Sequence, residues 1–337
     1  MAALLIESFD HYISAAELTQ GGFTSGGTPT FQTGRYGRGY RVTLPSSSED
    51  LTFVVSATTT FFFGASVYLG ALDDGDTIVS FDDSATEQLS IRVTPLGRIY
   101  VSRAGTTLAV GTGSESILQP FAHNYIEFTA TINDTTGSFT LKVNEVTVAT
   151  GSNVDTKNTA STTFDTVHLH GSANLLPSFD DLYVNDSTAS APYNTYLGEH
   201  ELITLRPNGD GYQNDWSPVG AGTTNADRVD DNPGNDGDTT YVNAVAVNDI
   251  DSWTYENCPI TADNILSVQL KAAAKSQEAA DFRQKIRSVA TDENGSTHAF
   301  TTSYAYYRYQ SLTDPNTAAA WTNAGWNAAE AGVEYLG

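Results

Sequence analysis

Three consecutive stretches between Asn124 and Thr150 alternate apolar and polar residues. In NYIEFTATIN, Ile126, Phe128, Ala130 and Ile132 point one way, and Tyr125, Glu127, Thr129 and Thr131 point the other. After the turn Asp134–Gly137, SFTLKVN repeats the pattern with Phe139, Leu141 and Val143 inward, and VTVAT returns after Asn144 and Glu145. A period of two belongs to a strand with one buried face, and a slip of one residue would expose every apolar side chain. Three such strands joined by short turns make an antiparallel meander.

The same reading extends over residues 1–187. Strands are expected at Tyr40–Leu44, Thr60–Leu69, Thr77–Phe81, Leu89–Val93, Arg98–Arg103 and Thr166–Gly171. Strands this short and regularly spaced suggest a β-sandwich or jelly roll. Charged residues are 17% of the chain, against ~25% in an average domain, so Ser, Thr, Asn and Gly must cover a surface of short strands and turns. A length of 337 residues suits two domains of about 150 residues each. NDSTASAPYN, residues 185–194, has the small residues and proline of a linker. The expected domains are therefore 1–187 and 188–337.

The second region opens with an acidic, loop-like stretch at about Arg206–Asp238. A structureless stretch of that length is uncommon unless it binds something or packs on a neighbour. Residues 264–289 have helix-favouring composition, but Leu266, Val268, Leu270, Ala272 and Ala274 alternate, and two strands around SQEAAD are expected. SYAYYRYQ, residues 303–310, is an aromatic strand. The C-terminal end carries a helix signal, with Asp314 as N-cap and Pro315 at the first position, and Trp321, Ala324, Gly325 and Ala328 on one face. The fold class expected is mostly β: a sandwich followed by a second β-rich domain ending in an α-helix.

Charge narrows the partners. Forty acids against 16 bases give −24 at pH 7, which speaks against nucleic acid and anionic lipid. The single cysteine, Cys258, forbids an intrachain disulfide. The start MAALLIESFDHY lacks a cationic region and its apolar run is short for a signal peptide. No apolar run approaches the ~20 residues of a membrane span. A soluble protein made in a cytoplasm, without membrane insertion, is expected.

SFDHY near the start, GRYGRGYRV at Gly34–Val42, the stretch Tyr125–Val148 and SFDDLYVND at Ser178–Asp186 together resemble a laminin-G-type, concanavalin A-like lectin domain. Residues 196–337, with YLGEHELITLRPNGDGYQNDWSP, NDGDTTYVN and the aromatic C-terminal stretch, are similar to tails of tailed-bacteriophage virion proteins. These resemblances imply a concanavalin A-like sandwich and a non-enzymatic virion component of a fibre, collar, tail-tip or head-decoration type. They imply localisation in the virion, other virion proteins as partners, and glycans as a ligand of the lectin-like domain. The long loops and aromatics suggest a homotrimer or another symmetric ring. The alternative is a secreted carbohydrate-active enzyme or lectin of a bacterium.

The adjacent carboxylates Asp180 and Asp181 are the first candidates for chemistry. In lectin-like sandwiches the first and last strands often lie together, which would bring Asp10 close. A structural calcium, needing roughly six to eight oxygens, could draw on Asp10, Asp180 and Asp181, with Glu7 nearby; no other cofactor is expected. Strict alternation puts Asp180 and Asp181 on opposite faces. The competing reading has one carboxylate tied to the N-terminal strand by hydrogen bonds and the other solvated. Phe179, Leu182 and Val184 break alternation, so either a bulge lies at the Asp pair or Phe179 packs on the opposite side.

No Glu-x-Asp-x-x-Glu run marks a glycosidase, no nucleophile elbow supports a Ser-His-Asp triad, and no catalytic residue is assigned. His168 and His170 share a strand face at a spacing that can bind Zn²⁺. The third ligand is missing nearby, His123 being the only distant candidate, so a hydrogen-bonded or exposed pair is expected. VDDNPGNDGD at Val229–Asp238 fails the EF-hand pattern and reads as a solvated acidic loop. Trp216, Trp253, Tyr304, Tyr306 and Trp321 could stack on sugars but suit a core or an interface as well.

Overall fold

The structure, a computed structural model, describes residues 3–72, 75–232, 234–261 and 264–337. Pro233, in the acidic loop, lies outside them. The chain divides into two compact units, Met1–Leu202 and Ile203–Gly337. Residues 188–202 thus belong with the first unit, and the linker expected at 185–194 does not separate the two. Asn185 and Asp186 finish a strand, and Ala189 and Tyr193 are buried.

The first unit is a two-sheet jelly-roll sandwich. Its strands are β1 (Leu5–Glu7), β2 (Phe23–Ser25), β3 (Thr30–Thr33), β4 (Tyr40–Thr43), β5 (Leu51–Thr58), β6 (Thr60–Tyr68), β7 (Thr77–Asp83) and β8 (Thr86–Val93). They continue with β9 (Ile99–Arg103), β10 (Thr106–Val110), β11 (His123–Thr131), β12 (Gly137–Val143), β13 (Val146–Val154), β14 (Phe164–Leu169) and β15 (Ser178–Asp186). Among the described residues, an eight-stranded sheet runs β13-β12-β11-β6-β15-β4-β3, with β1 also on β15. A seven-stranded sheet runs β10-β9-β8-β7-β14-β5-β2.

The predicted meander is β11-β12-β13, with Ile126 opposite Val143 and Phe128 opposite Leu141. Ile126, Phe128, Ile132, Phe139, Leu141 and Val143 are all buried. Phe128 stacks on Phe81 of the facing sheet with ring centroids 5.4 Å apart, and Phe61 lies 4.2 Å from Phe164. Both turn residues, Asn144 and Glu145, take positive φ (48° and 67°). That is the backbone of a two-residue hairpin turn whose twist matches its strands.

The closing strand pairs with the opening one: Leu5 faces Val184 and Glu7 faces Leu182. Against β6 the register of β15 slips between Asp180 and Tyr183, and Asp181 has φ +50°. This bulge lets Phe179, Leu182 and Val184 all enter the core.

The second unit is β-rich as well. It contains β16 (Pro207–Asn214), β17 (Ser217–Val219), β18 (Tyr241–Asn243), β19 (Ile250–Tyr255), β20 (Val268–Ala274), β21 (Asp281–Ser288), β22 (Thr291–Ala299), β23 (Ala305–Ser311) and β24 (Ala329–Tyr335). A five-stranded sheet runs β16-β19-β24-β21-β22, with two-stranded ribbons β17-β18 and β20-β23. The stretch expected as a loop from Arg206 therefore begins with a sheet strand. The two strands expected around SQEAAD are β20 and β21. Gln284 ties them together, donating to the carbonyls of Leu270 (3.2 Å) and Tyr307 (3.0 Å).

A short C-terminal helix spans Asn323–Asn327, capped by Thr322, whose hydroxyl accepts from the Gly325 amide at 3.0 Å. Asp314 instead accepts from Asn316 in a turn of its own, and Ala318 at φ +55° breaks the chain between them. The unit then closes on β24, where Ala329, Ala331 and Val333 alternate into the core. Among the described residues no helix is long and apolar enough to cross a membrane.

Candidate functional site

Strand register assembles a polar and aromatic field on the outer face of the eight-stranded sheet. Gln32 lies opposite Arg41, Asp180 opposite Ser66, and Ser66 opposite Tyr125. In the next rows Tyr68 faces His123, Gly64 faces both Glu127 and Tyr183, and Glu127 faces Lys142. Alternation sends the apolar partners of these residues into the core, so the chemistry gathers on the other side.

Half of this field is covered. Residues 193–202 cross it as a strap held by side chains from the sheet. Tyr196 donates its hydroxyl to the Thr140 carbonyl at 3.0 Å, under the Lys142 ammonium 3.9 Å from its ring centre. The Leu197 amide reaches the Tyr183 hydroxyl (3.2 Å), and the Gly198 amide reaches Glu127 Oε1 (2.9 Å). Tyr183 also donates to Glu127 Oε1, at 2.7 Å. His200 Nδ1 meets the Tyr125 hydroxyl at 2.9 Å, and the Leu202 amide donates to Asp181 Oδ1 at 2.7 Å. Tyr125, Glu127 and Tyr183 are consequently 0%, 1% and 0% exposed. The half-buried strand expected at 124–133 is thus buried on both faces from Asn124 to Phe128, while Thr129 and Thr131 stay half-buried. Burial under the strap lowers His200 to about 4 and keeps its imidazole neutral near pH 7.

Asp180 and Asp181 sit at the edge of this network. Asp180 accepts the Arg35 amide at Oδ2 (2.7 Å) and the Asp181 amide at Oδ1 (2.9 Å). Arg35 also places Nη1 3.6 Å from Asp181 Oδ2 and pairs with Glu199. Asp10 accepts the Tyr40 amide at 2.7 Å. Both members of the pair are buried, which corrects the expectation that one is solvated; the bulge turns Asp181 under the strap instead of outward. Their partners are Arg35 and Leu202 rather than the N-terminal strand. Burial pushes both carboxyls above the usual range, Asp180 to about 8 and Asp181 to about 7; mutual repulsion adds to the rise for Asp180.

The other half of the field is open. Here Arg41, Tyr68 and His123 are half-buried and Gln32 is exposed. The Arg41 guanidinium lies 3.9 Å over the Tyr68 ring centre. Its Nη1 is 3.2 Å from His123 Nε2, and its Nη2 donates to Gln32 at 2.8 Å. His123 Nδ1 is 2.8 Å from Ser66 Oγ. Arginine has no acceptor, so Nε2 must accept and Nδ1 must carry the proton. His123 is pushed down to about 4 by burial first, then by Arg41 and Arg35, and stays neutral near pH 7. Arg35, Arg38, Arg92 and Arg103 each have a carboxylate partner; among the described residues Arg41 has none. These residues went unremarked in the sequence, His123 aside, because Gln32, Arg41, Tyr68 and His123 come from four separate strands.

Among the other candidates, Trp253 and Trp321 are core residues of the second unit. Trp216 donates its indole N–H to the Asp249 carbonyl at 3.2 Å, and Tyr304 its hydroxyl to the Gly237 carbonyl at 2.9 Å. His168 and His170 lie on the outer face of the seven-stranded sheet, rings stacked with centroids 3.8 Å apart.

No protein-family model and no curated protein matches the chain. Solved structures similar to it include a variant of the alginate lyase Aly36B in complex with alginate tetrasaccharide, at 16% identity and TM-score 0.41, covering 53% of this chain and 95% of that one. A Trypanosoma rangeli sialidase covers 52% of this chain and 30% of its own, at 11% identity and TM-score 0.36. The cellulose-induced protein Cip1 covers 58% and 93%, at 16% identity and TM-score 0.37. No residue role is carried over from them. They correct one expectation: the structures named here are an alginate lyase, a sialidase and a cellulose-induced protein rather than virion components, and the reading as a non-enzymatic virion component is not carried further.

Proposed function

We propose that the first unit is a concanavalin A-like sandwich acting on carbohydrate, and that it engages an acidic sugar on the open half of the eight-stranded sheet. The observation that carries this reading is the Arg41–His123–Ser66 chain, with a guanidinium that lacks a carboxylate partner among the described residues of an acid-rich protein. A uronate carboxylate would supply the planar, two-oxygen partner that a guanidinium fits. The net charge of −24 repels a polyanion at range, but salt screens that repulsion beyond about 8–10 Å, and the contact at Arg41 is local.

The same groups suit β-elimination. A carboxylate on Arg41 withdraws charge from the neighbouring carbon and makes its proton acidic. It also draws Nη1 off His123, freeing the Nε2 lone pair to take that proton. The electron pair left on carbon forms the new double bond as the adjacent carbon–oxygen bond breaks. Tyr68, its ring 5.5 Å from that of His123, supplies a phenol to protonate the leaving oxygen.

The test is a panel of uronate-containing and neutral polysaccharides, read by gel retardation and by the ultraviolet absorbance of unsaturated uronate ends. Retardation by uronate polymers that is lost in Arg41→Ala supports the reading, and new absorbance lost in His123→Gln adds the reaction. Retardation by none of them, or equal retardation of wild type and Arg41→Ala, overturns it.

A further inference from the structure

The strand register supplies the third ligand that the sequence around His168 and His170 lacks. β14 pairs with β5 so that Leu169 faces Leu51 and His168 faces Thr52, which sets Asp50 beside His170. On the other flank β14 pairs with β7, with His168 opposite Ser80 and Thr166 opposite Asp82. Long stretches of chain separate these partners, and no local motif reveals them.

We propose that Asp50, His168 and His170 form a binding site for a zinc-class divalent ion on the outer face of the seven-stranded sheet. One donor atom from each lies within 4.8 Å of the others. Tetrahedral zinc, with bonds of roughly 2.0–2.2 Å, sets its donors about 3.3 Å apart, so side-chain rotations of about an ångström close the site. Asp50 Oδ2 is already 3.2 Å from His168 Nε2. That nitrogen is shielded from solvent, and its neighbour is the carboxylate oxygen that would share the ion, so two of the donor atoms already face each other. Asp50 is itself anchored, since Oδ1 accepts the Gly171 amide at 3.0 Å and leaves Oδ2 for an ion.

The surroundings have the form of an outer coordination shell. Asp82 Oδ2 stands 3.4 Å from His168 Nδ1, the arrangement that orients a ligating imidazole, and Ser80 Oγ stands 2.8 Å from His170 Nε2. Two imidazoles and one carboxylate favour zinc, nickel, cobalt or copper over calcium and magnesium, which take oxygen donors. Three protein ligands leave a fourth position for water. An ion here would tie the chain before β5 to β14 and stiffen the centre of the seven-stranded sheet. The site is independent of the carbohydrate reading, whose residues lie on the other sheet.

The test uses the full chain without a histidine tag, stripped with chelator and titrated with zinc chloride by calorimetry, with bound metal counted by mass spectrometry. The expected result is one zinc per chain, a higher melting temperature with zinc, and no comparable response to calcium or magnesium. His168→Gln/His170→Gln abolishes binding, and Asp82→Ala weakens it by about tenfold or more. His123→Gln leaves it unchanged. Absence of stoichiometric zinc in the folded wild type, or retention of zinc by the folded double variant, overturns the proposal.

Discussion

Glu127→Ala tests whether the strap is held by the sheet or merely lies on it. Glu127 Oε1 accepts from the Tyr183 hydroxyl at 2.7 Å and from the Gly198 amide at 2.9 Å, in a site 1% exposed. Truncation strands both donors, and a buried donor without a partner costs about 1–3 kcal/mol. Relief from burying the carboxyl offsets part of this, leaving an expected loss of about 2–4 kcal/mol. The loss should be local before it is global. Hydrogen exchange should show the Leu197 and Gly198 amides losing protection while the β11 and β12 amides keep theirs, and urea unfolding should report the reduced stability. Glu127→Gln keeps a carbonyl oxygen for one donor and should recover most of the loss. A Glu127→Ala protein within about 0.5 kcal/mol of wild type, with unchanged exchange at Gly198, would refute the reasoning.

Two further outcomes are expected. Phe128→Ala, at a fully buried ring stacked on Phe81, should destabilise the first unit by about 3–5 kcal/mol in urea unfolding; a loss under about 1 kcal/mol would contradict the packing. Asp180 has its carboxyl raised from 3.8 to about 8, so between those values the folded chain holds more protons than the unfolded one. Its contribution to stability is greatest below pH ~4 and is lost as pH rises toward about 8. Wild type should therefore lose stability relative to Asp180→Asn across that window, and a pH-independent difference would exclude the raised value.

The sandwich is legible in the sequence because its signal is local. Ile126, Phe128, Phe139 and Leu141 declare their faces by alternation within one meander. Phe179, Leu182 and Val184 violate alternation and so point to the bulge at Asp181. The functional face is less legible because it is assembled across strands. Tyr125 and Glu127 read as solvent-facing, and only the strap at 193–202, which begins where the expected linker at 185–194 ends, buries them. Arg41, Tyr68 and His123 are each unremarkable in their own strand, and Asp50 is remote from His168. The C-terminal helix signal at Asp314 and Pro315 is a real local preference that a turn satisfies. β24 prevails beyond it because Ala329, Ala331 and Val333 complete the five-stranded sheet between β19 and β21.

The most direct measurement of the central claim is the ¹⁵N signature of the His123 imidazole during titration with a uronate oligosaccharide. In the free protein it should show the neutral Nδ1–H tautomer with Nε2 held by Arg41, and a pKa near the low value of about 4. With the sugar bound, Arg41 turns to the carboxylate, the Nε2 resonance shifts and the pKa rises. A neutral oligosaccharide should leave both unchanged. A His123 signal indifferent to the uronate at saturating concentration would contradict the account.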